Sequence, residues 1–142
     1  MSHIRPLALC LFRHHDALLV VEHFDATRQL KFYRPVGGGI EFGERAIDAI
    51  VREVREELNT EIHNVRYLYT LENIFVHHGQ GGHEIVMLFQ AEFVNRALYE
   101  QPVLAGNENG SAYQAVWKNL NEFHPDTAPL YPNGLWERLK QV

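Results

Sequence analysis

Three carboxylates, Glu53, Glu56 and Glu57, fall at spacings of three and four residues, and a run of three glycines, Gly37, Gly38 and Gly39, lies upstream of them. The apolar residues of the intervening segment, Ile47, Ile50, Val51, Val54 and Leu58, repeat with the period of one helix face, which predicts a helix over residues 44–58. At ~100° per residue, with that stripe at zero, Glu56, Glu53 and Glu57 fall near roughly 180°, 240° and 280°. They therefore share one flank, off the buried stripe. Like charges three and four residues apart repel by a few tenths of a kcal/mol each. They also sit toward the helix C-terminus, where the backbone dipole disfavours anions. Arg52 lies close enough around the helix to neutralise one of them. A divalent cation would satisfy the whole group, and oxygen donors of this kind select Mg²⁺, Mn²⁺ or Ca²⁺. A solvated acidic face is the alternative. The glycines weigh against it, because they let a backbone approach a ligand closely. The carbonyl of Gly38, read here as part of a loop just ahead of the helix, is then a further oxygen for a metal.

The elements around this segment read as a mixed sheet with helices on its faces. Residues 7–12 (LALCLF) and 17–24 (ALLVVEHF) are apolar runs separated by RHHD, and are expected to form a hairpin. Residues 30–36 are expected to be a short strand leading into the glycine loop. Residues 64–77 and 83–94 read as a long hairpin closed by HGQGG, 112–120 as a last strand and 132–142 as a terminal helix. Residues 95–111 show no steady period and are expected to be a loop. Strands, helix, strands and helix in that order predict an α/β chain.

The spacing of the chemical residues can now be written as Gly38, five residues, Glu44, seven residues, then Arg52-Glu53-Val54-Arg55-Glu56-Glu57. This resembles the Nudix box, G-x5-E-x7-R-E-U-x-E-E-x-G-U, where U is apolar. The final Gly of that pattern is Asn59 here and the final apolar position is Thr60. Asn tolerates the left-handed conformation nearly as well as Gly, so the helix end survives the change. The resemblance extends over the rest of the chain, which is identified as one Nudix domain over residues 1–142, an α/β/α sandwich with a mixed sheet.

The resemblance implies a pyrophosphohydrolase that cleaves the diphosphate bond of a nucleoside diphosphate linked to a group X, with Mg²⁺ (or Mn²⁺) as cofactor. Carried over by residue, Glu53, Glu56 and Glu57 are implied as metal ligands together with the Gly38 or Gly37 carbonyl. Arg52 would orient the glutamates, and Glu44 would tie the loop to the start of the helix. Glu53 is the first choice for the general base, with Glu92 and Glu108 as alternatives. The family also admits a non-catalytic nucleotide-binding regulatory module, which usually loses box glutamates that are all present here, and an isoprenoid diphosphate isomerase. The isomerase would need a cysteine in its pocket, whereas Cys10 sits in an apolar run. A homodimer is a common assembly in the family.

Outside the box, Phe32, Tyr33 and Arg34 are candidates for substrate contact, an aromatic to stack on a base and Arg34 to bind phosphate; all three also suit the core and rim of a strand. Gly37 and Gly39 are candidates for close backbone approach to substrate. Tyr99 and Tyr113 are weaker candidates for base contacts. His77, His78 and His83 lie at the HGQGG turn, which His78 begins, and Glu84 has no assignable role. The 142 residues are 46% hydrophobic and 22% charged with a net charge of -5, which suits a folded domain and argues against a nucleic-acid or anionic-membrane surface. The single cysteine excludes an intrachain disulfide, and no apolar run approaches the ~20 residues that span a membrane. A cytoplasmic location is the expectation that follows, and the resemblance implies a small-molecule nucleotide partner.

Overall fold

The computed structural model describes residues 2–141. Strand β1 (Ile4–Leu11) lies at its centre, parallel to β6 (Gln80–Phe93) on one side and antiparallel to the end of β4 (Leu30–Gly39) on the other. A strand with both edges paired and both faces covered must be apolar at consecutive positions. That is the physical content of LALCLF. Ala8, Cys10 and Phe12 point to one core, with Ala49, Ile50 and Val54 of helix α1 (Ala46–Leu58). Leu7, Leu9 and Leu11 point to the other, with Leu135 and Leu139 of α2 (Leu135–Lys140). The sheet is thus sandwiched between two helices, as expected for the α/β/α class. Burial holds the Cys10 thiol well above the ordinary thiol range, in keeping with an inert core residue.

The expected hairpin of residues 7–12 with 17–24 does not form. The short strand β2 (Arg13–His14) folds onto Ala17 and Leu18 at the start of β3 (Ala17–Asp25), but β1 has no free edge for the rest of β3. Both strands pair with β4 instead. Val20–Asp25 of β3 run against Leu30–Pro35, and Leu7–Cys10 of β1 run against Val36–Gly39. Pro35 has no N–H to donate and sits where β4 changes partner. The glycines are therefore the end of a strand rather than a loop, and the turn into α1 is made further on, around Gly43 with φ +82°.

The long hairpin joins β5 (Ile62–His77) to β6 through His78 and Gly79 alone, both at positive φ as a two-residue hairpin turn requires. The segment expected as a loop contains a 3₁₀ turn at Arg96–Glu100 and a strand, β7 (Val103–Glu108). That strand pairs with β8 (Ser111–Asn119) across a second two-residue turn, Asn109-Gly110. Asn-Gly is a strong hairpin signal, masked here by the polar residues around it. β8 in turn pairs with β3, and no helix among the described residues is long and apolar enough to cross a membrane.

Candidate active site

α1 crosses the end of β4, and its orientation differs from the sequence expectation in one respect. The residues it buries are Ala49, Ile50, Val54 and Glu57, while Ile47 is largely exposed. Packing against β1, β4 and β7 turns the buried face toward Glu57, so one of the three carboxylates lies inside the protein. Its Oε1 accepts a hydrogen bond of 2.7 Å from the Tyr113 hydroxyl on β8. Burial, the carboxylate of Glu53 beside it and the charge of Glu108 push the Glu57 carboxyl up to about 8, against the opposing effect of the Tyr113 bond. Burial and the same carboxylates push the Tyr113 phenol far above its ordinary range. Tyr113 is thus a partner of Glu57 and not a base contact.

Arg52 organises the exposed side of the helix. Its Nε and Nη2 make a two-pronged contact with Glu44, at 2.7 and 2.9 Å. Nη1 reaches Glu53 at 2.9 Å and Glu56 at 3.3 Å, and Nη2 also donates to the Gly39 carbonyl at 3.0 Å. The fork geometry of a guanidinium is what allows one side chain to hold the helix, the turn before it and the end of β4 together. These bonds hold the Glu44 carboxyl down at about 2. Glu44 also accepts from the backbone N–H of Glu41, which ties down the turn as expected. The helix ends at Asn59, which adopts the left-handed conformation at φ 53° and donates its N–H to the Arg55 carbonyl. Asn59 fills the role of the usual glycine.

The glycines are explained one at a time. A Cβ on Gly37 would lie 2.1 Å from the Ala8 carbonyl oxygen, so this position is closed by the neighbouring strand. A Cβ on Gly38 would lie 2.5 Å from a Glu53 carboxylate oxygen. Gly38 is therefore the seat of the Glu53 side chain. A Cβ on Gly39 would meet only Arg5 Nη2, at an ordinary 3.8 Å, and Gly39 serves through its carbonyl.

Above these residues lies a cleft of about 310 Å³. Gly37, Gly38, Gly39, Glu53, Glu56 and Glu57 line one end of it, and the β7–β8 turn adds Glu108. Arg5 and Arg34 line it as well, beside His23. Burial and the charges of Arg34 and His77 lower the His23 imidazole to about 4, so it is neutral at pH 7. Sequence reasoning named Arg34 and Glu108 but missed Arg5 and His23, which stand on strands whose pairing was read differently.

Other candidates fall elsewhere. Tyr33 is 6% exposed, packs edge-on against Phe123 and lies under the Lys118 ammonium, so it belongs to the core on the α2 side and not to the cleft. Alternation along β4 sends Tyr33 and Arg34 to opposite faces. Glu92 lies on β6 away from the cleft, bonded to Asn64 and near His63. Tyr99 donates nothing to the cleft: its hydroxyl accepts from the Phe93 N–H and its ring stacks on Trp117.

A match to the NUDIX domain family model covers residues 1–135. The chain belongs to the Nudix family. It is 28% identical over 129 residues to a protein named NAD-capped RNA hydrolase NudC from Photorhabdus laumondii, and 27% identical over 99 residues to one of the same name from Pectobacterium carotovorum. Those matches cover 91% and 70% of this chain but only 42% and 35% of the relatives. The chain therefore spans less than half the length of these curated relatives. Among solved structures, a MutT Nudix hydrolase from Burkholderia pseudomallei aligns with a TM-score of 0.62 at 17% identity, covering 99% of both chains. A Nudix hydrolase from Nitrosomonas europaea also aligns with a TM-score of 0.62, at 18% identity over 87% of this chain and 78% of its own. These likenesses establish the fold.

Proposed function

We propose that the protein is a metal-dependent pyrophosphohydrolase that cleaves the diphosphate linkage between a nucleoside and a second group X. One observation carries this reading: Glu53, Glu56, Glu57 and Glu108 share a cleft with Arg5 and Arg34, over a glycine-lined strand end. Four carboxylates would repel a diphosphate if nothing intervened. Among the described residues, no three His, Cys, Asp or Glu side chains converge on one point as they stand. Two features nevertheless suit a hard divalent cation. The donor set is all oxygen, and Gly38 leaves room that a Cβ would fill, directly against the Glu53 carboxylate. The Glu56 side chain is 60% exposed and free to swing from Arg52.

Glu53, Glu56 and Glu57 would hold Mg²⁺ or Mn²⁺, with the Gly38 carbonyl as a further oxygen. When bound, such a cation neutralises phosphate charge and supplies an acidified water. The chain's own residues do the rest. Arg52 keeps Glu53 and Glu56 aligned, and Arg5 and Arg34 supply positive charge for phosphate oxygens. Glu53 or Glu108 takes the proton of the attacking water; Glu92 lies outside the cleft and is set aside.

The test is a hydrolysis screen with Mg²⁺ or Mn²⁺ against nucleoside triphosphates, nucleotide sugars, ADP-ribose and dinucleoside polyphosphates. NAD and NAD-capped RNA join the panel because of the names of the two curated relatives. Cleavage at a diphosphate bond, lost in Glu56→Gln, is the expected result. Nucleotide binding without cleavage across the panel overturns it in favour of a regulatory binding module.

A further inference from the structure

A second cavity, of about 300 Å³, adjoins the cleft and shares Arg5, His23 and Arg34 with it. The shared residues stand between the two cavities and form a common wall. The second differs in character. Phe32, Phe75 and Tyr131 contribute aromatic walls, and Phe32 is braced by the His23 ring stacked on it at 5.0 Å. Glu84 and Asn73 also line it, although each residue is almost wholly buried, at 3% and 4% exposure.

Glu84 is the unexplained group. A nearly buried carboxylate in an aromatic cavity carries a large desolvation cost unless its oxygens are matched. Asn73 Nδ2 donates to Oε1 at 3.1 Å, and Asn73 is itself fixed because its Oδ1 accepts the Asn133 N–H at 3.0 Å. Oε2 has two guanidinium groups nearby, Arg5 and Arg34, but both stand at 3.9 Å, beyond hydrogen-bond distance. The carboxylate is thus held rigidly on one side by Asn73, while the other oxygen has charge neighbours and no donor. The arginines also face the diphosphate cleft, so their charge is available to phosphate while Glu84 faces the aromatic cavity.

We propose that this cavity is the subsite for the planar base of the substrate, and that Glu84 selects a base presenting adjacent N–H donors, which among the common nucleobases is guanine. The guanine edge carries N1–H beside an exocyclic amino group, one donor for the unbonded Oε2 and one for the lone pair that Asn73 leaves free on Oε1. Adenine and cytosine place an acceptor nitrogen beside their amino group, and uracil flanks its N–H with carbonyls. Each sets a lone pair against Glu84. The aromatic walls hold any base by its faces; the carboxylate decides between them. Sites built around a buried polar group reject ligands that leave it unpaired far more strongly than apolar pockets reject a misfit. Catalysis at the adjoining carboxylates rests on the function proposed above, but base selection does not.

The experiment is metal-free equilibrium binding of nucleoside monophosphates, measured by calorimetry on the intact chain. GMP is expected to bind about tenfold to a hundredfold more tightly than AMP or UMP, the worth of hydrogen bonds to a charged group. IMP, which lacks the amino group, falls between GMP and AMP, and 1-methyl-GMP, which lacks N1–H, falls to the level of AMP. Glu84→Gln abolishes the preference for GMP over AMP. Phe75→Leu weakens all bases together and leaves that preference intact. Equal binding of GMP, IMP and AMP by the wild type overturns the assignment without recourse to any variant, as does absence of binding by every base. Loss of all affinities in parallel in Glu84→Gln overturns it too, since that is the signature of a scaffold role through Asn73. If GMP is selected but no diphosphate is cleaved in the hydrolysis screen, base selection stands and the catalytic reading falls.

Discussion

Gly38→Ala separates the role of the glycine strand from ordinary stability. The new Cβ would meet the Glu53 carboxylate at 2.5 Å from Oε2, 2.6 Å from Cδ and 2.9 Å from Oε1. These contacts are impossible, but the atoms that must yield are the far end of a flexible side chain. Glu53 has to move by about 1 Å to restore ordinary van der Waals separation. That movement breaks its 2.9 Å bond to Arg52 Nη1. The stability cost should stay near 1 kcal/mol, about one rearranged hydrogen bond, offset in part by the reduced freedom of the unfolded chain. Activity responds differently, because a 1 Å misplacement in an assembled catalytic group costs roughly a hundredfold. The assay is paired: thermal or urea unfolding for stability, and initial hydrolysis rates on the substrate found in the screen. Gly37→Ala is the contrast. There the Cβ would strike the Ala8 carbonyl at 2.1 Å on a backbone with φ +149°, so the β1–β4 pairing itself must shift and stability falls by several kcal/mol. A Gly38→Ala protein with full activity would refute the seating of Glu53, and one that unfolds like Gly37→Ala would refute the separation.

Arg52→Lys keeps the charge but loses the fork that joins Glu44, Glu53, Glu56 and the Gly39 carbonyl. Hydrolysis should drop about tenfold or more, with a detectable fall in unfolding temperature. Glu57 gives a pH prediction for the metal-free protein. Its folded pKa, about 8, lies above the ordinary 4.5, so its contribution to stability is full below the ordinary value and is lost as pH rises through 8. A cation replaces that proton, so the gain in unfolding temperature with Mg²⁺ should be larger at pH 8.5 than at pH 6.5, by differential scanning fluorimetry. Tyr113→Phe removes the bond that holds the Glu57 carboxyl down, and should move this pH dependence upward. Glu92→Gln should leave kcat within about twofold, as a surface substitution outside the cleft, while Glu108→Gln lowers it well beyond that.

Much of the candidate site is legible in the sequence because local spacing determines it. The period of α1 brings Glu53, Glu56 and Glu57 to one region, and the type of residue at 59 is enough to foresee the left-handed helix end. What local spacing cannot supply is the partner of each surface. The apolar stripe points roughly toward the sheet, but only packing against β1, β4 and β7 shows that Glu57 is buried while Ile47 is exposed. Tyr33 and Arg34 look equivalent as neighbours, and the pairing of β4 with β3 assigns one to the core and the other to the cleft. Consecutive apolar runs such as LALCLF fit a hairpin strand and a central strand equally well. The difference lies in which edges are already filled, a long-range property. Arg5, His23 and the Asn109-Gly110 turn reach the cleft through such pairings, which is why short-range reading misses them or misreads their setting.

Titration of Mn²⁺ into the protein, followed by electron paramagnetic resonance, tests the carboxylate corner directly. Wild-type protein should bind Mn²⁺ saturably, with affinity that rises between pH 6 and 8. Glu53→Gln and Glu57→Gln should each weaken that binding at least about tenfold, as loss of a charged ligand does. Failure of the wild type to take up Mn²⁺, or uptake by both variants as tight as that of the wild type, would contradict a metal site on this face of α1.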